Sequence, residues 1–254
     1  MPYITVVLNR KGGVGKSLFT VNLAAVYAEL IDGDIDATEA EGLAPSVAVV
    51  SIDPQATSIE HADKVRKEGR KVPFRVVNAS QNIDQLRKLR RAKADLVIVD
   101  TPGFMPLRDD EDDQDDSIDP LGDGTVGDAL RAILDVADDV IVPLEAEGSA
   151  FRPTKVTVER VLIPRQIPYG VVINNWDPRD GTVDRDRTIS MARHRNWDMY
   201  NATVRHYKQH ARGITHGRLC TQYESNHAST KAKQDFVSLA LEHQLRRQKY
   251  AGGR

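Results

Sequence analysis

Apolar residues along this chain fall into short unbroken runs, separated by stretches with helical spacing. Residues 3–8 (YITVVL) form a continuous run rich in β-branched side chains, which predicts a strand buried on both faces. Glycines follow, and then Phe19, Leu23, Val26, Tyr27 and Leu30 recur on one helix face. Further strands are predicted at residues 46–52, 73–77, 95–99, 139–143 and 169–173, and helices at about 58–68, 81–91, 126–136 and 153–161. This alternation implies βαβ units: an α/β fold with a mostly parallel twisted sheet, helices on both faces, and ligands bound at the carboxyl ends of the strands. Beyond Asn175 the pattern weakens. Val204 suits a short strand, and residues 229–248 suit a final helix with Phe236, Leu239, Ala240 and Leu245 inward.

The composition is that of a globular chain. With 254 residues, 40% hydrophobic and 28% charged, it is neither fibrous nor disordered, and it is read as one domain. No apolar run reaches the roughly 18–20 residues of a membrane span, and the N-terminus lacks a secretory pattern. A single cysteine, Cys220, excludes an internal disulfide and a cysteine-held cluster; it is expected to be a buried apolar residue. The chain is therefore expected in the cytoplasm.

Charge changes the picture more. The net charge of −2 hides a basic part, residues 185–254, with 14 Lys/Arg against 5 Asp/Glu. This suits a polyanion-binding face, with a merely solvated basic surface as the alternative. Residues 109–119 hold eight carboxylates in eleven positions, without the glycine and glutamate of a calcium loop; they are expected to form a disordered acidic loop within a longer insert at 107–124. Residues 32–45 form a second polar insert. His206, His210 and His216 have a spacing compatible with a metal, but a stripe of surface histidines is the simpler expectation. Trp176 and Trp197 are read as packing residues.

The decisive chemistry lies in Lys11-Gly12-Gly13-Val14-Gly15-Lys16-Ser17, directly after a strand and before a helix. Glycines let successive N–H groups turn toward phosphate oxygens, the helix N-terminus adds its dipole, a lysine reaches the β and γ phosphates, and a serine hydroxyl takes Mg²⁺.

This segment, with a lysine at its start and Arg10 where the ordinary P-loop has glycine, resembles the deviant Walker A box of the ParA/MinD ATPases. Ser51-Ile52-Asp53-Pro54-Gln55 is similar to the family's D-x-D-P-Q box, with serine in place of the first aspartate. Residues 96–102, with Asp100, resemble its Walker B strand, and residues 140–143 its next strand. Residues 170–175 with Asp177-Pro178-Arg179 are similar to its adenine-side strand and loop, and His216-Gly217-Arg218 with Tyr223 to a late H-G-K…Y box. The resemblance implies a P-loop NTPase fold of the deviant Walker A type and a slow, partner-stimulated ATPase using ATP and Mg²⁺. ATP would be held by Lys11, Gly12, Gly13, Val14, Gly15, Lys16, Ser17, Leu18 and Asn174, and Mg²⁺ by Ser17 and Asp100. Lys11, Lys16 and Asp53 would be catalytic: Lys16 on the phosphates, Asp53 orienting water, and Lys11 extended to a partner subunit's phosphates.

Within the family, the expected member is a small partition ParA. ATP would drive a homodimer that binds double-stranded DNA without sequence preference, associated with the nucleoid, and a ParB-type centromere-binding protein would trigger hydrolysis. Arg205, Lys208, Arg212, Arg218, Arg246 and Arg247 are the expected phosphate contacts. No N-terminal helix-turn-helix is expected ahead of the first strand. The alternative is a MinD-like membrane-positioning ATPase, for which the C-terminal residues offer little apolar surface, so no membrane is expected.

Overall fold

The computed structural model describes residues 1–33, 45–104 and 119–251. Seven strands, β1 Tyr3–Val7, β2 Val47–Ser51, β3 Arg75–Asn78, β4 Leu96–Asp100, β5 Asp139–Glu145, β6 Tyr169–Trp176 and β7 Met199–Arg205, form one sheet in the order β3-β2-β4-β1-β5-β6-β7. Every neighbouring pair is parallel. β1 is central, between β4 and β5, so its carboxyl end lies at the middle of the sheet. The expected α/β architecture is the observed one.

Pleating explains why the first strand reads as unbroken. Ile4, Val6 and Leu8 face one core, with Leu130, Ile133 and Val161, while Val7 faces the other, with Phe19, Leu23 and Phe236. The second core lies beneath α1 Lys16–Asp32 and the last helix, which runs His227–Ala251. That helix is anchored from within. His243 is fully buried, its Nε2 2.7 Å from Asp139 Oδ2 and its Nδ1 2.7 Å from the Tyr27 hydroxyl.

Several expectations shift. Leu30 is 44% exposed, because the last buried residue of α1 is Ala28, and Leu245, expected inward, is 67% exposed, because the last helix turns Ala240 and His243 inward instead. The helix expected at 81–91 divides into a short helix Ile83–Arg87 and a 3₁₀ turn Leu89–Arg91. The helix expected at 153–161 begins earlier, as Gly148–Lys155, and continues as π-helical turns over Val156–Leu162. Two helices escaped the pattern altogether, Val183–His194 and Lys208–Thr215, because each buries few residues and those are Thr188, Ala192, His210 and Gly213 rather than large apolar ones. The acidic run at 109–118 and most of the 32–45 insert lie outside the described residues.

Candidate functional site

The loop after β1 folds as its glycines require. Gly13 (φ 79°) and Gly15 (φ 75°) occupy the left-handed region, where a Cβ would be strained, and Gly15 caps α1. Side-chain bonds pin the loop to neighbouring strands and a helix. Asn9 Nδ2 donates to Pro143 O at 2.7 Å and Thr154 Oγ1 at 2.8 Å, and Asn174 Nδ2 donates to Val14 O at 2.8 Å. The turn after β4 presses on it closely, since a Cβ on Gly103 would sit 2.8 Å from Gly12 Cα.

Lys16 lies at the centre of this loop, 6% exposed, its Nζ donating to Asn9 O (3.1 Å) and Lys11 O (2.9 Å). Burial lowers its pKa to about 8, against the pull of Asp100 and Asp53. Asp100 ends β4 in register with Val7 and Ser51. It is wholly buried, and neither carboxylate oxygen has a hydrogen-bond partner within 3.5 Å, although the Ser17 and Ser58 hydroxyls lie near enough to favour its charged form. Burial raises its pKa to about 6. A buried carboxylate with unused lone pairs beside a serine hydroxyl fits a hard divalent cation. Asp53 lies in the turn before the helix Thr57–Lys67; it accepts Gln55 N–H at 2.9 Å, and its own N–H donates to Ser51 Oγ at 3.3 Å. The serine in the second box thus replaces a charge with a neutral acceptor for the turn.

Lys16, Ser17 and Asp53 line a cleft of about 980 Å³ together with Gly12, Gly13, Gly15 and Leu18, and with His61, Lys64 and Ile214 from neighbouring helices; Asp100 is buried and does not line it. N–H groups, an ammonium and carboxylates converging at a helix start can hold a polyphosphate with its cation. Val14 is buried and holds the loop rather than lining the cleft. Lys11 also stands apart from it. Its Nζ lies 2.9 Å from Glu145 Oε2, 3.3 Å from Ser149 Oγ and 3.6 Å from Glu147 Oε2.

The basic part is less assembled. Arg205 pairs with Asp235 (Nε–Oδ2 2.9 Å), Arg218 with Glu224 (2.7 Å), and Arg246 with Asp198 (2.8 Å) while lying over the Tyr200 ring. Arg247 lies over Tyr3. Lys208 and Arg212, on the helix Lys208–Thr215, are exposed. The histidines do not form a surface stripe. His210 is buried, with Nδ1 3.0 Å from the Tyr223 hydroxyl and a pKa lowered by desolvation to about 4. Among the described residues no group of three or more His, Cys, Asp or Glu could hold a metal. Trp197 packs flat on Phe151 and Cys220 is buried, as expected. Sequence reasoning missed Ser58, His61, Gly103 and Glu145. Ser58 and His61, three apart on one face of the helix that follows Asp53, could have been found by that spacing; nothing local marks the others.

Comparison with known proteins gives a consistent picture. The family model for the CobQ/CobB/MinD/ParA nucleotide binding domain matches residues 5–202. The maintenance of carboxysome distribution protein A of Gloeobacter kilaueensis is 28% identical over 244 residues, 95% of this chain and 94% of that protein. Among solved structures, MinD from Pyrococcus horikoshii complexed with Mg-ADP superposes with a TM-score of 0.64 at 17% identity, covering 96% of each chain. A putative plasmid partition protein of Borrelia burgdorferi bound to AMPPNP gives 0.63 at 15% identity, covering 96% of this chain and all of the other. These structures share the fold.

Proposed function

The chain belongs to the CobQ/CobB/MinD/ParA nucleotide-binding family, and from that premise we propose that it is a partition-type ATPase whose ATP-bound dimer binds DNA without sequence preference. The observation that carries the reading is the gathering of Lys16, Ser17 and Asp53 on one cleft at the start of α1, with the unpartnered Asp100 buried at the end of β4 beside Ser17. ATP lies with its phosphates against the N–H groups of residues 12–17, and Asn174 supports that loop through Val14. Ser17 and Asp100 would hold Mg²⁺, which would supply neutralisation of the phosphates' negative charge.

Hydrolysis then needs positioning more than covalent help. Asp53 orients a water toward the γ phosphorus; the new P–O bond forms as the bond to the β–γ bridging oxygen breaks, and ADP and inorganic phosphate leave. Lys16 stabilises charge on the leaving oxygens, and Lys11 of each subunit serves the partner's phosphates, so ATP joins the dimer face to face. Lys208 and Arg212, exposed and, among the described residues, without the acidic partners that occupy Arg205, Arg218 and Arg246, carry most of the DNA contact, and a ParB-type protein stimulates turnover. The similarity to a carboxysome-distribution protein widens the cargo from replicons to protein bodies.

A second reading, membrane positioning, rests on Leu241 and Leu245, 48% and 67% exposed one turn apart on the last helix. No helix among the described residues is long and apolar enough to cross a membrane. Sedimentation with ATP–Mg²⁺ and with ADP–Mg²⁺ tests the shared premise: a dimer with ATP only, lost in Lys16→Ala, supports the ATPase reading, and a nucleotide-independent state overturns it. DNA and anionic liposomes presented to that dimer separate the two readings.

A further inference from the structure

Lys11 is engaged, and not with anything a nucleotide offers. Although the loop around it opens on the cleft, its side chain does not line that cleft. It turns instead to the carboxyl end of β5, where the Lys11–Glu145 pair is only 22% and 11% exposed at its two side chains. Both oxygens of Glu145 are used: Oε2 accepts from Lys11 at 2.9 Å, and Oε1 accepts from Asn175 Nδ2 at 3.0 Å. Asn175 itself is held in the left-handed region (φ 60°), and its Oδ1 accepts from His206 Nδ1 at 2.8 Å. A chain of polar contacts therefore runs along the carboxyl ends of β5, β6 and β7, from Lys11 to the segment that leads into the helix of Lys208 and Arg212.

We propose that Glu145 is a positioning residue that latches Lys11 inward in the unpartnered subunit and thereby sets the threshold for ATP-dependent pairing. The inference rests on the assignment of Lys11 to the partner's phosphates. Three observations support it. Glu145 and Glu147 surround the ammonium with negative charge, a setting that repels phosphate, so Lys11 must leave it before meeting one. Glu145 is 8% exposed overall, so losing Lys11 leaves a nearly buried carboxylate with the Asn175 amide as its remaining partner, and that loss opposes release. The pair is also part of the nucleotide loop's own bonding: Lys11 O accepts from Lys16 Nζ, so a phosphate that draws Lys16 away loosens the backbone from which Lys11 extends. The latch is thus strong enough to hold a lone subunit and weak enough for two bound polyphosphates to outcompete.

The test is the protein concentration at which ATP–Mg²⁺ produces half dimer, measured by sedimentation. Glu145→Gln, which keeps the shape and removes the charge, lowers that concentration by on the order of tenfold, because two latches open per dimer. Glu147→Gln, exposed and 3.6 Å away, lowers it by about twofold. Damage to the fold would raise the threshold, so only loss of a competing contact gives this direction. An unchanged or raised threshold in folded Glu145→Gln overturns the latch. If that variant fails to fold, an unchanged or raised threshold in Glu147→Gln does the same. Should wild type not pair with ATP, or Lys11→Ala pair like wild type, the proposed function fails and the latch with it. If wild type pairs through Lys11 and neither glutamate matters, the latch alone fails.

Discussion

The centre of the sheet and its β7 edge both carry clustered charge, but they use it in opposite ways. At the centre, Asp100 is wholly buried with both oxygens unpartnered, and Lys16 is buried against two backbone carbonyls. At the edge, Arg205 and Arg246 each meet a carboxylate of their own chain. The first region is incomplete without a ligand; much of the second is already satisfied. Unmet valence in a buried place marks a site more sharply than a count of like charges, since an unpartnered buried carboxylate persists only where something else offsets its cost.

The largest expected effect falls on the central region. Lys16→Ala removes the ammonium aimed at the phosphates, and ATP hydrolysis measured by phosphate release falls by about two orders of magnitude or more. Retained turnover would mean that the cleft is not where the charge is stabilised.

Asp100→Asn sharpens the same comparison through stability. The folded pKa of Asp100, about 6, lies above its unfolded value, so the folded chain holds this proton more tightly and the group costs stability as pH rises from about 4 to 6. Without metal at pH 7, Asp100→Asn is therefore more stable than wild type, by on the order of 2 kcal/mol. The gap closes toward pH 4, as followed by thermal denaturation. Mg²⁺ binding in wild type weakens below about pH 6, because proton and cation compete for one carboxylate.

At the edge the effects are smaller and differ by residue. Replacing Lys208 and Arg212 together with alanine reduces the slope of log affinity for DNA against log salt by about two. Arg246→Ala leaves that slope unchanged and instead lowers the melting temperature by about 2–4 °C, because this arginine is committed to Asp198 and the Tyr200 ring. If Arg246 weakens DNA binding as much as Lys208 and Arg212 do, the distinction between paired and free cations fails.

The two regions also differ in what the chain reveals before folding. The nucleotide loop is local: seven consecutive residues between a strand and a helix specify both its backbone and its donors, and Asp53 and Asp100 each end or follow an unmistakable apolar run. The basic edge is not local. Whether Arg205 is free depends on Asp235 and whether Arg246 is free depends on Asp198, pairings made by the return of the last helix across β7. Helices such as Val183–His194 bury too few large side chains to show a period. Glu145 was invisible for a related reason: at the end of a buried strand it is one more residue, until β1 and β5 lie side by side and place it against Lys11.

The most direct test of the account is DNA affinity of the purified protein with ATP, with ADP and without nucleotide, over a salt series, with Lys16→Ala as control. Binding that requires ATP, ignores sequence, weakens steeply with salt and disappears in the variant is the predicted result. A dimer formed with ATP that binds no DNA at any salt would contradict it.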